Sequence, residues 1–260
     1  KGLMNMQYAI ENGKVYVLEA NPRASRTVPL VSKVCNIRMV PLATDIITSE
    51  LTGRPSPVAA LKEKDIPYFG VKEAVFPFNM FQEVDPVLGP EMRSTGEVLG
   101  MSRYYGEAFF KAQEATKTEL PLGGTVLISV SDKDKTEVVE VAKDFVETGF
   151  KVLATKGTAK LLAEAGIPVE VVNKLNEGRP DILDLITNRK IDLIINTPIG
   201  ADSATDDSYL RKGAIKKKIP YITTIAAAKA TASGMISMGK PGCGDVKSLQ
   251  EWHSEIKDKE

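Results

Sequence analysis

The feature that most constrains this chain is a regular alternation of short apolar strands and helical segments over its second half. The strands are predicted at "TVLISV", "KVLAT", "VEVV", "DLIINT" and "PYITT". Gly149 and Gly166 are placed to end two of the intervening helices. This alternation predicts an α/β fold with a parallel sheet covered on both faces. Ligands of such sheets bind at the carboxyl ends of the strands.

The beginning of the chain has a different pattern, that of a β-hairpin. Two strands, at 4–10 and 14–20, are joined by Asn12-Gly13. A two-residue loop would set Met6 opposite Glu19 and mix polar with apolar side chains, so we expect a three-residue loop with a bulge and a left-handed Gly13. This register predicts one face with Met4, Met6, Tyr8, Tyr16 and Leu18, and another with Gln7, Val17, Glu19 and Asn21.

The segment between the hairpin and the alternating region supplies a domain boundary. Helices are predicted at about 40–51 and 105–115, with the apolar strand "VKEAVFPF" between them. The polar stretch "EATKTELPLGG" lacks periodicity and ends in helix breakers, which is typical of a linker. We therefore expect two domains, residues 1–118 and 119–260, as the length of 260 residues also suggests.

Composition excludes several classes of function. Lys plus Arg and Asp plus Glu both number 34, which argues against binding nucleic acid or a membrane surface. The basic cluster "RKGAIKKK" fits the exposed end of a helix. Cys35 and Cys243 lack metal-site spacing and are expected to be free thiols of a cytoplasmic protein. No apolar run approaches the length of a membrane span. The one histidine, His253, excludes histidine chemistry elsewhere.

The end of the hairpin carries residues suited to a phosphate and metal site. Glu19, with Gln7 and Asn21 on the same face, offers the oxygen ligands that Mg²⁺ prefers. Arg23 and Arg26 follow, and guanidinium groups bind phosphate through forked hydrogen bonds. The alternative interpretation is a solvated strand end with structural salt bridges.

The second half contains candidate anion-binding residues at successive strand ends. "ATKGT" places Thr155 and Thr158 at a strand-to-helix turn, where free amides favour phosphate. Lys135 and Lys174 follow two other strands, and Asn196 closes a fourth. Each residue alone is more often an ordinary turn residue, and the residues by themselves leave both interpretations open.

Two stretches resemble a known family. "GLMNMQYAIENGKVYVLEANPRASRTVPLVSK" and "GPEMRSTGEVLG" resemble the end of an ATP-grasp domain in the large subunit of carbamoyl-phosphate synthases. The second half resembles the methylglyoxal-synthase-like, Rossmann-like domain that is allosteric in that family. The resemblance covers essentially the whole chain. It implies the C-terminal remnant of an ATP-grasp domain followed by a parallel-sheet allosteric domain.

The resemblance also implies roles for individual residues. In the carbamate-phosphorylating half, the ATP and metal ligands would be Gln7, Glu19 and Asn21, and the active-site arginines would be Arg23 and Arg26. Positions that bind the effectors UMP and IMP correspond to Lys135, Thr155, Thr158, Lys174, Asn196 and Asp206. Pro198 departs from the bacterial pattern, which has a threonine there. The ornithine site corresponds to Glu73, Tyr221 and Thr223.

The function implied is that of a glutamine-dependent ligase that forms carbamoyl phosphate from bicarbonate, glutamine and two molecules of ATP, with Mg²⁺ or Mn²⁺. Expected partners are a small glutamine-hydrolysing subunit and other large subunits, in arginine or pyrimidine synthesis. We expect the fragment alone to be inactive, because the other walls of the ATP site would lie upstream. The alternatives are methylglyoxal synthase, which needs a catalytic histidine absent here, and the purine cyclohydrolase domain, whose lysine- and histidine-containing motif is also absent.

Overall fold

The computed structural model of the chain describes residues 1–76, 96–175, 177–197, 204–241 and 243–259. Pro198 and most of "GPEMRSTGEVLG" lie outside these residues. The chain forms two compact units, Lys1–Gly70 with Asp245–Glu260, and Val71–Gly244. The domain boundary between residues 118 and 119 stays a prediction, because a packing unit and a family domain need not coincide.

The first unit contains a hairpin, helices and a small sheet made with the end of the chain. Tyr68 and Trp252 are both buried, with ring centroids 5.1 Å apart. The Tyr68 hydroxyl donates to the carbonyl of Val34 at 2.7 Å, so the C-terminal segment and the first helix share one small core. The elements are β1 (Asn5–Glu11), β2 (Lys14–Asn21), α1 (Thr27–Cys35), α2 (Met39–Thr52), β3 (Lys64–Asp65), α9 (Leu249–Ser254) and β11 (Lys257–Asp258), with β3 antiparallel to β11.

The turn of the hairpin differs from the expected one. Asn12 and Gly13 have positive φ angles of 49° and 74°, and Glu11 pairs directly with Lys14. This is the two-residue turn that Asn-Gly favours, because both central residues must adopt positive φ. The predicted three-residue loop is therefore wrong.

A bulge further along β2 nevertheless produces the predicted polar grouping. The register shifts by one residue after Val17, so that Gln7 lies directly across from Glu19. Asn21, two residues on, shares the face of Glu19. The grouping of Gln7, Glu19 and Asn21 is confirmed. Val17 and Tyr16 lie on the faces opposite to those predicted, since both precede the bulge.

The second unit is built on a parallel sheet. Its strands are ordered β10-β9-β6-β7-β8, and each neighbouring pair is parallel, as the alternation predicts. Gly149 and Gly166 have positive φ angles of 88° and 76° just beyond two helices, which confirms their predicted role. The elements, from the junction with the first unit onward, are β4 (Phe69–Val75), β5 (Gly96–Ser102), α3 (Tyr105–Ala115), β6 (Gly124–Ser129), α4 (Lys135–Glu147), β7 (Phe150–Thr155), α5 (Lys156–Glu164), β8 (Glu170–Val172), α6 (Ile182–Thr187), β9 (Leu193–Asn196), α7 (Ala204–Lys217), β10 (Tyr221–Ile222) and α8 (Ile225–Met238).

Helices cover both faces of this sheet. Val126 and Ile128 of β6 belong to a core that includes side chains of α3, α4, α5 and α8. Leu127, between them, belongs to a second core with side chains of α6 and α7. Alternate residues of a strand point to opposite faces, so a strand covered on both faces must be apolar throughout. The polar residues that end these strands therefore lie at the rim of the sheet, where ligands bind.

Candidate functional site

Three polar side chains meet at the carboxyl ends of the central strands. Ser129 ends β6 and pairs with Asn196 of the parallel strand β9. Thr155, which ends β7, donates its hydroxyl hydrogen to Oγ of Ser129 at 3.3 Å. Thr155 and Asn196 are 4% and 7% exposed, so the sheet holds them in fixed positions. We call the rim formed by the ends of β6, β7 and β9 and the start of α5 the strand-end site.

The start of α5 contributes backbone donors to the strand-end site. Thr155 is the N-cap residue of α5, but its side chain makes no capping hydrogen bond. The hydroxyl of Thr158, one turn on, accepts from the backbone N–H of Val130 at 3.4 Å, and so ties α5 to the end of β6. The first N–H groups of a helix have no partner within the helix and carry partial positive charge, which makes them donors for an anion.

Two predicted lysines lie beside this helix start. The ammonium nitrogen of Lys135 is 3.9 Å from the place that a Cβ would take on Gly157. Its Nζ atom is also 2.6 Å from Oδ1 of Asp132, an aspartate that is 88% exposed. The hydrogen bond from Lys135, and the more distant charge of Lys174, hold the pKa of Asp132 below its usual value. The two lysines therefore act on the same carboxylate and belong to one electropositive cluster.

A second carboxylate, that of Glu177, interacts with two residues near this cluster. Glu177 accepts from the backbone N–H of Lys174 at 3.3 Å and lies 3.3 Å from the ammonium of Lys156. These contacts lower its pKa, with the Lys174 N–H as the largest cause. Lysines paired with exposed acids can exchange those acids for a stronger anion, because an exposed ion pair contributes little free energy.

The fold thus places five of the six predicted effector residues close to one another. Lys135, Thr155, Thr158, Lys174 and Asn196 all lie at one edge of the sheet. Asp206 lies in the first turn of α7, and its side chain is outside what the structure describes. Their roles as ligands remain predictions.

A cavity of about 650 Å³ lies next to β10 within the second unit. The three residues predicted for ornithine, Glu73, Tyr221 and Thr223, all line it. Oε2 of Glu73 accepts from the amide of Gln113 at 3.1 Å. Burial raises the pKa of Tyr221 to about 12, so its hydroxyl keeps its proton at any physiological pH. The cavity is therefore lined by a carboxylate and a phenolic donor.

Sequence reasoning missed two further residues that line this cavity. Arg211 and Gln113 both line the cavity, and the Arg211 Nε atom is buried with no hydrogen-bond partner among the described residues. The prediction that "RKGAIKKK" forms an exposed helix end is wrong for Arg211, since Arg211 is half-buried. The helical period could have identified it, because Arg211 precedes the buried Ala214 by three residues. Nothing in the sequence marks Gln113.

Sequence reasoning also missed Ser129 of the strand-end site. Its position at the end of β6 could have identified it, because ligands of parallel sheets bind at the carboxyl ends of the strands.

The hairpin residues form a separate, exposed group in the first unit. The Asn21 amide hydrogen-bonds to the Glu19 carboxylate, and Gln7 lies across from Glu19. One carboxylate with two amide oxygens is a donor set that fits a hard divalent cation. In the described residues, no three His, Cys, Asp or Glu side chains are grouped to hold a metal. Arg23 and Arg26 follow the hairpin just before α1 and are exposed.

Comparison with known proteins identifies the class of the second unit. The family model of the MGS-like domain matches residues 137–223. A crystal structure of methylglyoxal synthase from Elizabethkingia anophelis superposes with a TM-score of 0.36 and 18% identity, over 54% of this chain and 87% of that one. The second unit therefore has an α/β fold with a five-stranded parallel sheet and contains an MGS-like domain, which the family model places at residues 137–223.

The whole chain is homologous to the C-terminal region of carbamoyl phosphate synthase large chains, which confirms the resemblance noted from the sequence. It is 48% identical to the large chain of Nostoc sp. over 96% of this chain. It is 47% identical to the "C-terminal section" of the large chain of Methanocaldococcus jannaschii, over 99% of this chain. The large chain of Methanosarcina barkeri is 41% identical, also over 99%. The chain spans only 23%, 43% and 64% of these relatives.

No helix in the part of the chain that the structure describes is both long enough and apolar enough to cross a bilayer.

Proposed function

We propose that this chain forms the C-terminal region of the large chain of a glutamine-dependent carbamoyl phosphate synthase, a ligase that uses two molecules of ATP. The observation that carries the proposal is the 48% identity with the Nostoc large chain, which continues across both units of this chain rather than covering the MGS-like domain alone. An isolated enzyme of the MGS-like fold would not need the hairpin unit. The small glutamine-hydrolysing subunit, other large subunits and a cytoplasmic location are part of the proposal.

The hairpin would supply one wall of the second ATP site. Gln7, Glu19 and Asn21 would hold Mg²⁺ or Mn²⁺, and such ions neutralise charge on the phosphates of bound ATP. The amide nitrogen of Asn21 donates to Glu19, so the amide oxygen of Asn21 remains available to bind the ion. Arg23 and Arg26 would orient the phosphoryl group. Phosphoryl transfer depends on positioning by several groups at once, so we expect no turnover from this chain alone.

The strand-end site would bind a nucleoside monophosphate effector, UMP or IMP. Its phosphate would accept from the N–H groups at the start of α5 and from Lys135 and Lys174. The ion pair of Lys135 with Asp132 supports this assignment, because it places the Lys135 ammonium where an anionic group can contact it. The cavity lined by Glu73, Tyr221 and Thr223 would bind ornithine, whose cationic groups suit the carboxylate.

The two alternative functions have no support in the structure. His253 lies in the first unit, where its Nε2 atom is 2.6 Å from the carbonyl oxygen of Lys33. The sequence contains no other histidine, so the second unit supplies no imidazole of its own for the acid–base chemistry of a synthase or cyclohydrolase of this fold.

The experiment that tests the proposal measures carbamoyl phosphate formation by a full-length large chain that carries this region, assembled with a small subunit. We expect activity that requires bicarbonate, ATP and glutamine, and that responds to UMP or IMP and to ornithine. Lys135→Ala should abolish the nucleotide response, whereas Lys151→Ala should keep it. Lys151 is the matched control because it lies at the amino end of β7 and pairs with Glu170. Absence of carbamoyl phosphate formation would contradict the proposal.

A further inference from the structure

Asn196, a residue of the strand-end site, is hydrogen-bonded to Tyr221, which lines the cavity beside β10. Its side chain is 7% exposed, so its amide has a fixed setting. Nδ2 donates to Oδ1 of Asp207 at 2.8 Å and to the hydroxyl oxygen of Tyr221 at 2.6 Å. Both amide hydrogens are therefore used, and in the described residues its Oδ1 atom accepts no hydrogen bond.

The carboxylate of Asp207 determines which way this amide points. A carboxylate can only accept hydrogen bonds, so the amide must turn its nitrogen, not its oxygen, toward Asp207. Asp207 is itself 7% exposed, on the side of α7 that packs against the sheet. An amide without this partner could turn over, because its oxygen and nitrogen have nearly the same size.

The setting of Asn196 in turn determines what Tyr221 can offer a ligand. A phenol that already accepts from an amide has its own hydrogen free to donate elsewhere. Tyr221 lines the cavity, where a ligand carboxylate would be a suitable acceptor. If the amide turned over, its oxygen would compete for that hydrogen. The Tyr221 donor would then be withdrawn from the cavity.

We propose that Asp207 is a positioning residue, which acts through the Asn196 amide to direct the hydroxyl hydrogen of Tyr221 toward an acceptor of a small carboxylate-containing ligand in the cavity. This rests on the proposed amino-acid site in that cavity. Asp207 need not touch the ligand. A hydroxyl that accepts a hydrogen bond is a stronger donor, so the bond from the Asn196 amide strengthens the Tyr221 donor.

The test is a double-mutant cycle on the 260-residue chain, with calorimetric titration of ornithine as the probe. Asp207→Ala and Tyr221→Phe should each weaken binding about threefold to tenfold, the effect of one hydrogen bond. Asp207→Ala should have no further effect in the Tyr221→Phe background. An equal loss in both backgrounds would overturn the proposal, since it would show that Asp207 acts by its charge, for instance on Arg211, or by supporting the fold.

A conservative variant separates a hydrogen bond from a charge. Asp207→Asn keeps an acceptor oxygen of the same shape and loses the charge, but its amide can also donate, so it fixes the setting of Asn196 less firmly than a carboxylate does. We therefore expect it to restore part of the affinity lost in Asp207→Ala. An Asn variant as weak as the Ala variant would contradict the proposed role. The Asp207→Asn variant also controls for misfolding, because the volume of Asn matches that of the wild-type Asp.

A ligand-free measurement keeps this inference separate from the proposed function of the cavity. In the ¹⁵N-labelled chain, the side-chain amide protons of Asn196, assigned by comparison with Asn196→Ser, should be shifted downfield and slow to exchange. Asp207→Ala should remove this protection. Protection that survives in Asp207→Ala would overturn the positioning role. Failure of wild-type protein to bind ornithine would instead refute the ligand assigned to the cavity, and the amide signals would still decide the role of Asp207.

Discussion

At the scale of single residues, two lysines beside the strand-end site already have carboxylate partners. Lys135 is held by Asp132, and Lys156 by Glu177. A phosphate that enters must displace at least the Asp132 carboxylate from Lys135. The free energy of phosphate binding at Lys135 is therefore the free energy of the Lys135–phosphate pair minus that of the Lys135–Asp132 pair.

This competition predicts that Asp132→Asn strengthens nucleotide binding. The substitution removes the charge that the phosphate must displace, while an exposed ion pair contributes little stability. We expect UMP to bind about twofold to fivefold more tightly by calorimetry, the change that corresponds to a weak surface pair. Glu170→Gln, which breaks the exposed pair with Lys151 at the opposite end of the sheet, is the control and should leave the affinity unchanged. Weaker binding by Asp132→Asn would mean that Asp132 itself contacts the ligand.

At the scale of elements, helix α3 is fixed to its surroundings by close backbone contacts and one buried acid. A Cβ on Gly106 would lie 2.3 Å from the carbonyl oxygen of Ser233 in α8, so only glycine permits this crossing. Glu107, 4% exposed, accepts from the hydroxyl of Ser102 at 2.6 Å and from the backbone N–H of Gly244 at 3.0 Å. Its carboxylate also lies 2.7 Å from the ammonium of Lys111. One carboxylate thus joins α3, the end of β5 and the segment after α8.

The acid sensitivity of the fold follows from this carboxylate. Burial alone would raise the pKa of Glu107, but the hydrogen bonds from Lys111, Ser102 and Gly244 outweigh it and leave the pKa below its ordinary value. A depressed pKa stabilises the folded state above the unfolded value of about 4.3, and this contribution disappears as the pH falls through the folded pKa. Glu107→Gln should lower the free energy of unfolding at pH 7 by about 1.5–3 kcal/mol.

Urea unfolding of wild type and Glu107→Gln at neutral pH and at about pH 3 checks this. The difference between the two proteins should shrink as the pH is lowered, because the wild-type carboxylate takes up a proton as the pH falls through its depressed folded pKa. Glu114→Gln, at an exposed position of the same helix, should match wild type at both pH values. A difference independent of pH would show that Glu107 acts through packing alone.

The sequence predicts the two hairpin strands, the five strands of the parallel sheet, the helix ends at Gly149 and Gly166, and most of the polar residues of the strand-end site, because periodicity and strand ends are local features. It does not predict β3, β5 or β11. It could not locate the β2 bulge, since a bulge and a longer loop satisfy the same polar–apolar pattern. It also could not reveal the Asn196–Asp207–Tyr221 hydrogen bonds. Those residues come from three elements whose proximity depends on sheet order, and no single stretch of sequence encodes that order.

At the scale of the whole molecule, the sheet shares its core with a helix that precedes it. Phe109 and Phe110 of α3 belong to the same cluster as Val126 and Ile128 of β6. The strand–helix alternation by itself predicts a self-sufficient folding unit from about Gly124 onward, which would exclude α3. The packing argues for a longer unit, because such a segment would lose these two aromatic side chains.

A comparison of two truncated chains tests this view of the core. Residues 71–244 should unfold cooperatively, whereas residues 124–244 should be much less stable or expose apolar surface. Phe110 is 3% exposed, and in the longer segment Phe110→Ala should cost about 3–5 kcal/mol, the usual effect of deleting a buried aromatic ring. Thermal unfolding followed by circular dichroism measures both. Equal stability of the two truncated chains would place α3 outside the cooperative unit.

The central claim is that the strand-end site binds the phosphate of a nucleoside monophosphate. Calorimetric titration of the 260-residue chain with UMP and with IMP tests it most directly, for wild type, Lys135→Ala, Thr155→Val and the control Lys151→Ala. We expect Lys135→Ala to weaken binding at least about tenfold, since a charge-assisted contact contributes about 1.5–3 kcal/mol. Thr155→Val should also bind more weakly, Lys151→Ala should match wild type, and the nucleosides without phosphate should not bind. Equal affinities in all four proteins, or binding that survives loss of the phosphate, would contradict the account.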